Sequence, residues 1–195
     1  SGGWRALAET APQHGLPNPQ PAPDTHYDWQ WTPSGLAPAS DHGDFSLPAA
    51  CAAMADALQQ AGFTFSPQAA RILLPLDPAP LPMLAMAGLL LEALADPARR
   101  PLFVITRAAW ALHDGERVQP VQRAAWGLLR VAAIEQPERQ IVAIDLAADA
   151  DWEALPAAVA AASGSRWIAM RDGRALFPRL AQQTHMAPAL PAGSL

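Results

Sequence analysis

The chain contains no lysine: the whole Lys+Arg total of 13 is arginine. That absence excludes Schiff-base chemistry, a phosphate-binding P-loop lysine and any catalytic pair of tyrosine and lysine. Tyr27 is the only tyrosine, and Cys51 the only cysteine. One cysteine permits neither an intrachain disulfide nor a thiolate metal cluster. No stretch approaches the roughly 18 consecutive apolar residues of a membrane span, and no signal-peptide pattern opens the chain. A cytoplasmic protein is therefore expected. The net charge of −5 comes with no basic block, which argues against nucleic acid and anionic membranes as partners.

What is present suits a single folded domain with segments to spare. The 195 residues are 51% hydrophobic, ample for a core. The 21 prolines are densest toward the two ends. Residues 1–25 and 183–195 thus read as proline-rich linkers around a domain at 26–182, and the opening Ser-Gly-Gly as a cloning remnant.

Inside that domain the hydrophobic periodicity switches repeatedly. "YDWQW" places Tyr27, Trp29 and Trp31 on one face of a strand. Residues 47–60 form an alanine-rich helix closed by Gly62. "ARILLPLD" is a buried strand, and residues 81–95 form a helix so apolar that burial on most sides is expected. "RPLFVITRAA" is the clearest strand. A turn at His113–Glu116, helix 119–135, strand 140–146, helix 152–162 and strand 166–170 follow. "RDGR" is a hairpin turn into a last strand at 175–179. Such alternation predicts an α/β fold: a truncated Rossmann-like, mainly parallel sheet with helices on both faces and right-handed crossovers.

A dinucleotide fold needs glycines in a strand-to-helix turn, so that pyrophosphate can reach the helix N-terminus. The turns here read "PLDPAPLPM", "TRAAWALHDGERV" and "DLAADADWEAL", and none contains the G-x-G-x-x-G fingerprint. Ser163-Gly164-Ser165 reads as a helix-ending turn, not a nucleophile. The five histidines, at 14, 26, 42, 113 and 185, include no pair at zinc-ligand spacing. His42 between Asp41 and Asp44 reads as a solvated acidic loop. His113-Asp114 reads as a turn, and Cys51 as a small core residue. Arg130 and Glu135 bracket the end of helix 119–135 without being ideal partners. That helix is expected to be widely buried, either in this domain's core or against a second domain. A ligand, if any, belongs at the strand C-termini beside Asp77, Arg107 or Asp145. The chain thus yields no catalytic, cofactor-binding or metal residue.

The stretches 104–108 ("VITRA"), 120–137 ("PVQRAAWGLLRVAAIEQP"), 145–146 ("DL") and 171–180 ("RDGRALFPRL") resemble the structural subdomain of modular polyketide synthase ketoreductases. That family shows "VTRGA", "P-x-Q-A-x-x-W-G-L-x-R-V-x-x-x-E-x-P", "DL" and "R-x-G-x-x-x-x-x-R-L". "HYDWQWTP" at 26–33 is similar to its opening strand. Residues 34–100 match only in their order of elements, and Ala108 stands where the family often has glycine. The resemblance implies a truncated Rossmann half that binds no cofactor and buttresses a separate catalytic half. The latter would hold NADPH and reduce β-keto thioesters carried on the phosphopantetheine of an acyl carrier protein. It also implies neighbouring synthase domains, such as a dehydratase, enoylreductase or methyltransferase. The alternative is a pseudo-ketoreductase, with no catalytic half, that serves as an interaction module.

Overall fold

The computed structural model describes residues 25–33, 40–76 and 82–184. Most of the two linker readings, and Asp77, lie outside them. Gln30–Arg179 forms one compact unit. A second unit, 1–29 with 180–195, is described only where strands β1 (Thr25–Pro33) and β8 (Arg174–Thr184) enter it.

Three adjacent strands have every residue buried: β4 (Ile72–Pro75), at the edge of the sheet, then β5 (Leu102–Arg107) and β6 (Ile141–Leu146). Continuous apolar runs of this kind are what a sheet covered on both faces requires. They pair in parallel, Leu73 opposite Phe103 and Phe103 opposite Val142. β7 (Trp167–Arg171) adds to β6 in parallel, and β8 folds back antiparallel on β7. The six-stranded order is β1-β8-β7-β6-β5-β4. The β7–β8 turn uses Asp172 and Gly173 at φ +50° and +69°, the left-handed pair that a two-residue hairpin favours.

Alternation along the strands sends side chains to two cores. Phe103, Ile105, Val142, Ile144, Ile168 and Met170 meet α1 (Ala55–Gln60) and α4 (Leu155–Ala161). Leu102, Val104, Ile141 and Ala143 meet α2 (Met83–Leu94) and α3 (Pro120–Glu135). Helices thus cover both faces, as expected. The crossovers through α2, α3 and α4 all step the same way across the sheet, yet α4 lies on the face opposite the other two. The connection through α4 and those through α2 and α3 therefore have opposite hands, so the crossovers are not all right-handed as expected.

The helix at 47–60 is half 3-10: Ala49–Met54 takes that form, with Cys51 N donating to Pro48 O, before α1 begins. Gly62, at φ +97°, closes α1. Gly62 N donates to Gln59 O and Phe63 N to Leu58 O, the paired bonds of a glycine-terminated helix end. Residues 152–162 likewise begin as a 3-10 turn, Trp152–Ala154. A short parallel pair, β2 (Asp44–Phe45) with β3 (Thr64–Phe65), went unread because two-residue strands carry no periodicity.

Helix α2 corrects the expectation of burial on most sides. Met86, Leu90 and Ala93, spaced i, i+4, i+7, face the sheet. On the opposite side Leu84 is 85% exposed and Leu91 66%. Within the described chain one layer of helices lies on this face, so a second apolar stripe has nothing to pack on.

Candidate functional site

Among the described residues, a hydrogen-bonded hub lies at the C-terminal ends of β5, β6 and β7, the end of a parallel sheet where α/β folds bind ligands. At its centre is Asp145, wholly buried in β6. Oδ1 accepts from the Thr106 hydroxyl and from Ala109 N, each at 2.8 Å. Oδ2 accepts from Arg171 Nη2 at 2.9 Å and from Trp110 N at 3.3 Å. Trp126 Nε1 on α3 donates to Thr106 Oγ1 at 2.9 Å, tying the helix to the sheet. Burial pushes the Asp145 carboxyl up, while the Ala109 amide and Arg171 oppose that. All four partners donate and none needs to accept, so the geometry suits the carboxylate.

Arg171 is nearly as buried and fully engaged. Nε donates to Glu116 Oε1 at 2.8 Å, Nη1 to Met170 O at 2.8 Å and Nη2 to Trp110 O at 2.8 Å. Burial works against its charge, but Glu116 and Asp145 hold its pKa above the usual value. Glu116 Oε2 accepts from Leu112 N, so the 107–119 loop is pinned at both carboxylates. Burial would raise the Glu116 carboxyl, but Arg171 and that amide leave it below its ordinary value.

An aromatic floor lies beside the hub. Trp126 packs against Trp31, Trp110 and Trp167 at centroid distances of 5.9, 5.5 and 5.7 Å. Arg123 lies over the Trp110 ring, and Arg130 is near Trp110 and Trp167. Arg130 thus engages rings, not Glu135 across the last turn. Gln122 Nε2 donates to Leu76 O at 2.7 Å, fixing the first turn of α3 to the end of β4. Arg107 Nη1 reaches the carbonyls of Ala147 and Ala150, and its guanidinium lies 4.4 Å from the Trp152 ring centroid.

The other sequence candidates fall apart spatially. His113 Nε2 sits 3.5 Å from Asp172 Oδ2, both exposed, rather than pairing with Asp114. They border a shallow hollow of about 420 Å³ whose charges are of both signs. Asp41 is less solvated than expected: it forms an ion pair with Arg71, which holds its carboxyl below the usual range. Asp44 accepts from the Thr64 hydroxyl at 3.4 Å, and the His42 ring lies against Phe63. Cys51 is buried, and Ser163 Oγ donates to Ala160 O at the end of α4. Among the described residues no three metal-ligating groups cluster, and no helix is long and apolar enough to cross a membrane.

Sequence reading missed the hub and one further buried charge, Arg139. Arg139 donates to Arg100 O at 2.8 Å, Leu94 O at 2.9 Å and Ala93 O at 3.0 Å, capping α2 with a guanidinium. The available signal was Asp145 itself: an acid in an otherwise apolar strand must find partners.

A mainly parallel sheet covered by helices on both faces is a Rossmann-type domain. Residues 21–180 match the Rossmann fold domain of polyketide synthase extender module SpnB, and the chain belongs to that family. It is a ketoreductase-related Rossmann domain of a polyketide synthase. Spectinabilin polyketide synthase system protein NorA′ of Streptomyces orinoci is 37% identical over 101 residues, 49% of this chain and 3% of that protein. NorB of the same system is 43% identical over 96 residues, 48% of this chain and 4% of that protein. The chain therefore spans only a few per cent of these relatives. Among solved structures, a C2-type ketoreductase from a modular polyketide synthase superposes with a TM-score of 0.64 at 24% identity, over 82% of this chain and 43% of that one. An A1-type ketoreductase gives 0.56 at 28% identity, over 86% and 43%.

Proposed function

We propose that this chain is the non-catalytic scaffold half of a polyketide synthase ketoreductase, with residues 26–182 as the structural subdomain. It buttresses a separate half that binds NADPH and reduces β-keto thioesters on an acyl carrier protein. The observation that carries this reading is what the motif residues do. Thr106, Gln122, Trp126, Asp145 and Arg171 all lie in the stretches that resemble the family, and each is hydrogen-bonded inside the domain. In particular, the Ala109 and Trp110 amides, at the strand end where a phosphate would sit, already donate to Asp145. No residue of this chain is assigned to catalysis.

Two further observations support the buttressing role. The chain corresponds to under half of each ketoreductase compared above. Its α2 and α3 carry exposed Leu84, Leu91, Val131 and Ile134, a surface with use for a covering partner. A pseudo-ketoreductase with no catalytic half is expected to expose less apolar surface. NADPH titrated against the chain, followed by nicotinamide fluorescence, tests the reading. No saturable binding is expected, and micromolar affinity would overturn it. Reading the natural polypeptide around this chain for a glycine-rich turn with a tyrosine and a lysine separates the scaffold from the pseudo-ketoreductase.

A further inference from the structure

Arg123 departs from the pattern on which the family resemblance rests, standing where that pattern has alanine. It is exposed on the first turn of α3, yet held in place. Its guanidinium carbon lies 3.2 Å from the Trp110 ring centroid, and Nη1 donates to Ala109 O at 3.4 Å. Trp110 is itself wedged edge-on between Trp31, at 5.2 Å, and Trp126, at 5.5 Å. Among the described residues no carboxylate forms an ion pair with Arg123; its bonding partners are a carbonyl and a ring. Burial and the Arg130 guanidinium hold its pKa below the usual value, with Asp145 pulling the other way. Further along the same helix, Leu128, Val131 and Ile134 stand exposed. The helix surface thus combines an apolar ridge with a fixed cation that makes no ion pair among the described residues.

We propose that Arg123 is the ion-pair anchor of this ridge, matched to a carboxylate on the remaining part of the ketoreductase, and that it selects which partner half the chain accepts. This rests on the scaffold reading above. The occupant follows from two facts: the compared ketoreductases extend well beyond the part this chain covers, and a cation at the head of an apolar ridge is complemented by an apolar surface with an acid opposite. Stacking on Trp110 restricts the arginine before the partner arrives, so less rotamer freedom is lost on binding. Apolar contact discriminates weakly among partners, whereas a placed charge favours one with an opposite charge and penalises a like one.

The test coexpresses this chain with the remaining ketoreductase segment of its own polypeptide and measures their affinity at low and high salt. Wild type should bind, more weakly as salt rises. Arg123→Glu should weaken binding by roughly tenfold or more, and Arg123→Ala by several-fold. Arg123→Lys, which keeps the charge, should recover most of the affinity. The thermal midpoint of each isolated variant shows whether it has folded, and Arg123→Ala serves if Arg123→Glu has not. A wild-type chain that fails to bind overturns the scaffold reading itself. Wild-type binding that Arg123→Glu and Arg123→Ala leave unchanged overturns the Arg123 assignment alone.

Discussion

Replacing Asp145 with asparagine tests whether the hub holds the domain together. The substitution preserves shape and removes one acceptor oxygen. If the new amide takes the Oδ2 position, it points N–H groups at the Trp110 amide and at Arg171, which now stand 3.3 and 2.9 Å from that oxygen. If it takes the Oδ1 position, it faces Ala109 N and the Thr106 hydroxyl, both at 2.8 Å. Thr106 can turn its proton to Ile144 O, 3.3 Å away, but the Ala109 amide cannot move. Either way one buried backbone N–H loses its partner, at about 1–3 kcal/mol. Arg171 also loses its fully buried counter-charge, a loss of about 3–5 kcal/mol where no other partner remains. Glu116 and three carbonyls do remain, so the two contributions together should come to about 3–5 kcal/mol. That is a large part of the roughly 5–15 kcal/mol that stabilises a domain. Urea unfolding followed by tryptophan fluorescence reads it directly, since Trp126 donates into the same hub. Asp145→Asn should lower the midpoint strongly without changing the slope. A loss below about 1 kcal/mol would refute the hub as a stabilising device.

Two other perturbations follow from the same geometry. Arg139→Leu should cost on the order of 3 kcal/mol, because three carbonyls lose a charged donor; Arg139→Lys should not rescue it, since the three bonds come from three different nitrogens. Hydrogen exchange in the last turn of α2 should speed up most in both variants, and unchanged exchange would contradict the capping role. For Glu116, the carboxyl lies below its ordinary value of 4.5 when folded, so its contribution is complete above about pH 4.5 and fades as pH falls through the folded value. The stability gap between wild type and Glu116→Gln should therefore be constant from pH 7 to about 5 and shrink below that; a gap that widens in acid would reverse the assignment.

Sheet and helix order were legible because period carries them. "LFVITR" and "IVAIDL" each open on four consecutive apolar residues and read as buried strands, and the Asp172-Gly173 pair reads as a tight hairpin. Burial was misread where period fails. Helix α2 looks core-like because eleven of its twelve residues are uncharged, yet Leu84 and Leu91 face outward: composition cannot say how many layers a fold has. Uncapped 3-10 entries such as Ala49–Met54 leave no mark in an alanine-rich run. The hub was illegible for another reason. Thr106, Glu116, Asp145 and Arg171 are separated by up to 65 residues in sequence, and only the β5–β6–β7 register brings them together.

The motif that carries the family resemblance makes its contacts within the domain. Its threonine, tryptophan, aspartate and arginine meet at the strand ends. Here Ala108, in the left-handed region at φ +51°, turns the chain so that the next two amides point back at Asp145. A glycine would adopt that φ with less strain, which accounts for the family's frequent glycine at this turn. A carboxylate from within the chain thus accepts from the two amides that follow this turn. A domain built this way keeps the rigidity of a nucleotide-binding fold. Its outer helices, with their apolar stripes and the fixed Arg123, are left to meet something else.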